Sequence, residues 1–331
     1  MSEKNGKKKL RLFGIPAILP FVKELRGKLA LMAVCSLLGT ALDVLTPVYQ
    51  RYALDEMVGR SDLSRLPWFI AVYVISILAC SVMNYISCTL ATANEVRINA
   101  RLRDRVFHHL QTLSFSFYNQ NSVGVIHSRV MSDTSRIGTL FSWTLMESIF
   151  HLTYLVGAVL VMLVIDARLG LLVMSVLPVI FVLFSVFQSH LVRVNRQIRE
   201  TNAQITGDFN EGITGAKTVK TLVIEEKLEC EFVKGTSHMR ERSVRAAQLR
   251  GLFSVTTNLA SSCALAIVLW QGGLIAADQV GTYSMFMSYA QGMMEPVRWL
   301  IDAVSDLIMT RVNIERYTDL MATTSDVTDT P

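Results

Sequence analysis

Gln291, Glu295, Arg298, Asp302 and Asp306 interrupt an apolar stretch near the C-terminus. Their steps of four, three, four and four place them on one face of a helix. Ionisable groups among apolar neighbours are costly, so such a face meets either a polar cavity or its own partners. Arg298 reaches Glu295 and Asp302 at three- and four-residue spacing, which would make an internal salt-bridge ladder. The other reading is contact with a substrate. Glu147 and His151 lie four apart on a second apolar stretch, Asp43 sits midway along a third, and Asn84 lies in a fourth. Asp43, Glu147, Glu295, Asp302 and Asp306 together outweigh Arg298. A cavity lined by them favours a small amphipathic cation over an anion.

Catalytic chemistry has no comparable signature. A phosphate-cradling loop needs Gly, four residues, then Gly-Lys-Ser/Thr. The nearest stretch, Gly212-Ile213-Thr214-Gly215-Ala216-Lys217-Thr218, has Ala216 between Gly215 and Lys217, and Asn210 where the first glycine should stand. It also follows a helical pattern, where a strand is required. His108, His109, His127, His151, His190 and His238 show no metal-ligand spacing, and no GxSxG nucleophile elbow occurs. The cysteines Cys35, Cys80, Cys88, Cys230 and Cys263 contain no CxxC pair and read as small apolar packing residues. Met285, Met287, Met293 and Met294 read as packing residues too. No catalytic residue, metal ligand or cofactor site is expected in this chain.

The elements that carry these residues are membrane spans. Hydrophobic residues make up 51% of the chain and charged ones 18%, which excludes a typical soluble domain. Crossing about 30 Å of hydrocarbon takes roughly 20 mostly apolar residues. Six segments qualify, at about 29–50, 67–93, 139–164, 169–188, 252–275 and 283–307. Basic residues cluster before the first span (Lys4, Lys7, Lys8, Lys9, Arg11, Lys23, Arg26, Lys28) and in two long excursions, about 94–138 and 188–250. The opposite side has Arg51, Arg60, Arg65 and Arg168. Positive-inside bias puts both termini and both excursions in the cytoplasm. The net charge of +5 is therefore topological and gives no reason to expect nucleic-acid binding. The stretch from Phe13 to Val22 reads as a short interfacial helix within a cytoplasmic segment 1–28, and not as a signal peptide.

The excursions have structure of their own. Ile98, Leu102, Val106, Leu110 and Leu113 continue the second span as one apolar stripe, with a break expected at Asn119-Gln120-Asn121-Ser122 and Gly124. Leu191, Val194, Ile198, Ile205, Phe209 and Ile213 repeat the plan, interrupted at Gly212 and Gly215. Each excursion is thus a descending helix, a turn region and an ascending helix.

These loops resemble those of ABC exporter membrane domains, the six-helix type of multidrug and lipid exporters. The first loop carries Phe117-Tyr118-Asn119, Gly124, Ile126, Ser128-Arg129-Val130 and Asp133. Asn119 stands where Asp is common, and Val125 where an acidic residue is. The second loop carries Glu211, Ile213, Gly215, Ala216, Val219-Lys220 and Glu225-Glu226. Pro47, Asp55, Pro178, Gly272-Gly273, Gly281 and Glu315-Arg316 also fit. The resemblance covers about 13–320. It implies an all-α polytopic membrane protein with six transmembrane helices and two long cytoplasmic extensions, a transmembrane domain at 29–320, and a linker at 321–331 towards an ATPase domain beyond this chain. It implies a dimer with a second copy or a homologous half, in which spans four and five cross to the partner. It places coupling surfaces at Phe117, Tyr118, Asn119, Gln120 and Gly124, and at Glu211, Gly212, Ile213, Gly215 and Ala216. These would dock on a nucleotide-binding domain in cis or trans, which would hold ATP and magnesium and drive alternating access. A bacterial inner membrane is the expected location. Two rivals are a secondary carrier, although the spans lack the paired Gly/Pro interruptions usual there, and a non-transporting scaffold that kept the fold.

Overall fold

The computed structural model describes residues 15–60, 64–275 and 279–325. The cations Lys4, Lys7, Lys8, Lys9 and Arg11, and the end of the expected linker after Ser325, lie outside the described residues. Among the described residues every regular element is helical. The chain divides into two compact units, Met1–Asp166 with Ala276–Pro331, and Ala167–Ile275.

In the first unit, α1 (Ile15–Lys23) leads into α2 (Arg26–Val44) and α3 (Thr46–Tyr52). Pro47 has no N–H to continue the hydrogen-bond ladder, so α2 stops at Val44 and α3 restarts with proline in its first turn. A π-helical turn, Ala53–Val58, follows. Next comes α4 (Leu66–Leu110), whose 45 residues extend roughly 68 Å. Two short helices, α5 (Phe115–Gln120) and α6 (Val123–Ser128), come after it. The return path runs through a π-helical turn Arg129–Asp133, α7 (Thr134–Thr139) and a second π-helical turn Leu140–Thr144 into α8 (Leu145–Ile165). The three runs Arg26–Val58, Leu66–Leu110 and Val123–Ile165 are each long and apolar enough to cross a membrane. They contain the first three expected spans.

The second unit consists of α9 (Ala167–Thr214), α10 (Ala216–Leu222) and α11 (Glu225–Ile275). They contain the fourth and fifth expected spans. Contacts between the long helices step down α9 as they step up α11: Phe209 with Phe232, Ile205 against Gly235, Arg242 to Thr201, Arg250 to Asn195, and Phe187 with Phe253. This is an antiparallel hairpin. Its expected stripe is only partly covered, with Leu191, Val194, Ile198 and Ile205 half-buried and Phe209 and Ile213 exposed.

The sixth expected span returns to the first unit and departs from expectation. It is broken into α12 (Val280–Gly292) and α13 (Met294–Ala322), joined at Met293.

The core of the first unit lies around the stripe read from the sequence. Ile98, Leu102 and Val106 are fully buried, and Leu110 and Leu113 nearly so. They join one cluster with Ile18, Val22 and Leu25 at α1 and Ile314, Tyr317 and Leu320 of α13. Phe21 meets Tyr317 edge-on at 6.2 Å, the Arg105 guanidinium lies 5.7 Å from the Phe21 ring centre, and Arg101 pairs with Glu24 at 2.8 Å. The expected interfacial helix is therefore held on one side by protein, while Leu19 stays exposed on the other. Leu102→Ala should lower stability by about 2–5 kcal/mol. Phe107→Ala, on the 61% exposed opposite face, should change it by less than about 0.5 kcal/mol. Thermal denaturation of the purified protein reads both, and equal losses would contradict this packing.

Candidate functional site

The first excursion ends in α5, and its position rests on two helix terminations. Leu110 closes α4, and the Tyr118 phenol donates to the Leu110 carbonyl at 2.7 Å. That carbonyl, at the end of the helix, also accepts from the Leu113 amide at 3.2 Å. Asn121 and Ser122 are extended, which separates α5 from α6. Asn119 and Gln120 therefore belong to α5, Gly124 to α6, and the turn itself is Asn121-Ser122. The four-residue break from Gln111 to Ser114 has no Gly or Pro signal. Phe115 at the start of α5 is 87% exposed, whereas Phe117 packs on the core cluster.

The second excursion ends in α10. Here α9 runs through Gly212 to Thr214, so Glu211, Gly212 and Ile213 form its last turn, Gly215 is the joint, and Ala216 opens α10. Val223 closes α10 in the left-handed region at φ 50°, uncommon for a β-branched residue, and is 80% exposed. Strain of this kind costs on the order of 1–3 kcal/mol. Lys220 donates to Glu225 at 2.9 Å across the turn, and this bond holds the Glu225 carboxyl below its usual range. A cavity of about 940 Å³ opens between the ends of α9 and α11, with Phe209, Ile213, Val219, Ile224, Leu228 and Phe232 as its apolar lining. The glycine-rich stretch does not fit a nucleotide. Gly215 N donates to Glu211 O at 2.8 Å and Val219 N to Gly215 O at 2.9 Å, so amides that would cradle phosphate are engaged in helix bonds.

The polar residues of the expected spans fall into two groups. On α8 and α13 the structure brings His151 against Trp299, whose ring stacks on it at 4.8 Å, with Glu295 near enough to act on the imidazole. Gln291, Glu295, Arg298, Asp302 and Asp306 all lie exposed on their face. The expected ladder is not formed, because Arg298 makes no ion pair with Glu295 or Asp302 among the described residues. Asp43 is half-buried on α2. Asn84 is exposed on α4 and accepts a bond from Cys88 of the same helix at 3.1 Å.

Sequence reasoning underrated the end of the first span. Asp55 bonds the start of α12 with both carboxylate oxygens, accepting from Gly281 N at 2.6 Å and from Thr282 Oγ1 at 3.1 Å. Arg51 donates to Thr282 Oγ1 at 2.9 Å and lies 3.7 Å from Asp55. Gln50 donates to Ser284 at 2.7 Å. A side chain at position 281 would run into the Arg51 carbonyl and the Asp55 carboxylate, so glycine is required there. The carboxylate also faces the positive end of α12. The signal was Asp55 and Gly281 as a pair, which sequence distance hides.

A second polar set is buried near α13. Asp133 and Asn313 are each more than nine-tenths buried, and Asp133 Oδ2 and Asn313 Nδ2 have no hydrogen-bond partner. Burial pushes the Tyr317 hydroxyl up to about 12, against the pull of Arg105.

The family model of the ABC transporter transmembrane region matches residues 29–297. The chain belongs to that family. Relatives of this ABC transporter membrane region include an uncharacterized ABC transporter ATP-binding protein, YknV, of Bacillus subtilis (strain 168). It is 25% identical over 329 residues, covering 95% of this chain and 53% of the relative. A putative multidrug export ATP-binding/permease protein, YgaD, of the same organism is 20% identical over 320 residues, 94% of this chain and 55% of the relative. A putative multidrug export ATP-binding/permease protein of Staphylococcus aureus (strain bovine RF122 / ET3-1) is 23% identical over 293 residues, 85% of this chain and 50% of the relative. The chain thus spans about half the length of the curated relatives it matches.

Within this membrane region the Asp55 cluster should be a structural clasp. Asp55→Ala strands the Gly281 amide and should cost about 1–3 kcal/mol. Thr282→Val, which keeps the amide bond, should cost about 1 kcal/mol or less. Thermal denaturation in detergent compares the two, and an Asp55→Ala loss no larger than that of Thr282→Val would contradict the assignment.

Proposed function

We propose that the chain is the membrane-spanning half of an ATP-driven exporter. It pairs with a second copy or a homologous half, forms the substrate pathway, and passes the closure of nucleotide-binding domains to its spans as alternating access. The observation that carries this reading is the pair of helical excursions. In each, a helix leaves an apolar stretch without interruption and ends in a short helix with exposed apolar residues at its tip, Phe115 in one and Val223 in the other. A rigid rod with a sticky end suits the transmission of a push from a soluble motor. The names of the relatives supply the motor, since two are putative export proteins that combine ATP binding with a permease.

The finer points follow from the same reading. The chain crosses the membrane six times with both termini in the cytoplasm of a bacterium, as the distribution of Lys and Arg supports. The α9–α11 hairpin crosses to the partner, and its half-covered stripe and the exposed Leu252, Leu259 and Trp270 favour a second protein surface or lipid there. ATP and magnesium reside on the nucleotide-binding domain. The docking residues are those of α5 and of the turn from Glu211 through α10. The transported compound is a small amphipathic molecule that meets Asp43, Asn84, Glu147, His151, Gln291, Glu295, Arg298 and Asp302.

Reconstitution in liposomes with the nucleotide-binding domain tests the coupling. Substrate should stimulate ATP hydrolysis, and Phe115→Asp or Val223→Asp should reduce that stimulation at least about tenfold, the loss of roughly 1.4 kcal/mol of coupling. Unchanged stimulation in both variants would sink the reading.

A further inference from the structure

Asp133 ends the π-helical turn Arg129–Asp133, which packs between α4 and α13. The residue is 4% exposed, and its Oδ2 has no hydrogen-bond partner. Asn313 of α13 is 6% exposed, and its Nδ2 has none either. An open acceptor thus lies on the turn, and an open donor on the helix that packs against it. Arg316 follows one turn along α13. It is exposed and near enough to pull on the Asp133 carboxyl, yet the two make no ion pair among the described residues. Arg129 and Arg136 act on the carboxyl from its own excursion. Arg103 reaches the turn from α4, and its bonds go to Thr134 Oγ1 and to the Met131 carbonyl, each at 3.3 Å. Burial outweighs these cations and holds the Asp133 carboxyl above the usual carboxylate range. A buried carboxylate without a partner is costly, and few buried polar groups are left so without a reason. Single π-helical turns also concentrate where function needs an irregular helix.

We propose that Asp133 is a positioning residue of the coupling path, which pairs with Arg316 in a second seating of α13 on the first excursion. The seating described above leaves the pair open. A displacement of α13 over the π-helical turn closes it, and Asn313 then supplies a second bond to the carboxylate. A charge-assisted bond to a buried carboxylate is stronger than a neutral one, so it can hold the new seating against the packing lost in reaching it. Packed interfaces pass between discrete arrangements and do not deform continuously. The inference rests on the exporter reading, which supplies the movement, and it names the residue pair that registers it.

Two measurements on the full-length transporter in lipid nanodiscs test it: the melting temperature without nucleotide, and substrate-stimulated ATP turnover. Asp133→Asn removes a charge that has no partner in the open seating, so the melting temperature should stay within about 1 °C or rise. Turnover should nevertheless fall about tenfold, because the second seating loses its pair. Arg316→Gln should lower turnover to the same degree. The double variant should fall no further than either single one, since two residues that share one interaction are not additive. Arg136→Gln, which removes a cation that acts on Asp133 without being its partner, should change turnover by less than about twofold. A melting temperature that falls in step with turnover would make Asp133 a packing residue and overturn the proposal. So would turnover unchanged by Asp133→Asn, or a loss of about a hundredfold in the double variant. If Arg316→Gln fails to fold, Arg316→Lys replaces it: turnover should be largely kept beside Asp133 and gain nothing beside Asp133→Asn, and any other result counts against the pair. A wild type that shows no stimulation by substrate contradicts the exporter reading itself, and this inference with it. Stimulation in the wild type with additive losses overturns the inference alone.

Discussion

The first unit depends on one seam, in which the stripe of α4 beyond its expected span is buried by α1 on one side and α13 on the other. A helix of 45 residues has no means of holding its own direction outside the bilayer. Most helical stability comes from packing an apolar face. Ile98, Leu102, Val106 and Leu110 supply that face, and Ile18, Val22, Tyr317 and Leu320 cover it. The seam ties together the first excursion, the N-terminal helix and the last helix. His109 extends the link with a 3.1 Å contact to the Leu320 carbonyl. Phe117 of α5 packs on the same cluster, so α5 and α13 are joined through packing contacts.

Two further constraints act on the spans. At one end of the first unit, Asp55 joins α12 to the end of the first span through backbone and side chain together. In the middle of the sixth expected span, Pro296 divides what would otherwise be one helix. Asp55 fixes the start of α12, and its other end is held by the fully buried Met293 and by the Tyr289 hydroxyl, which donates to the Val44 carbonyl.

Much of this was legible in the sequence. The apolar stripe from Ile98 to Leu113 appears at its expected positions because helical periodicity is a local property. The apolar segments were found for the same reason. The resemblance in the two loops led to the family that the match over residues 29–297 establishes. The break at Gln111–Ser114 was hidden because it carries no Gly or Pro, and the Tyr118 phenol that bonds the Leu110 carbonyl there lies eight residues away. Of the two glycines expected to interrupt the second excursion, Gly215 does so, while Gly212 stays inside α9, which packs on α11. The salt-bridge ladder around Arg298 was allowed by spacing, but spacing does not decide rotamers. The division at Gly292 and Pro296 was written in the sequence and passed over, since a search for paired interruptions overlooks a single one.

The central claim is that α5 and α10 are where a motor grips this membrane region. Photo-crosslinking from benzoylphenylalanine placed at positions 115 and 223 of the full-length transporter, in its native membrane, tests this most directly. The account predicts adducts with the nucleotide-binding domain from both positions and none from position 68, at the start of α4. Adducts from position 68 alone, or none from either tip in a membrane where the probe reacts, would contradict it.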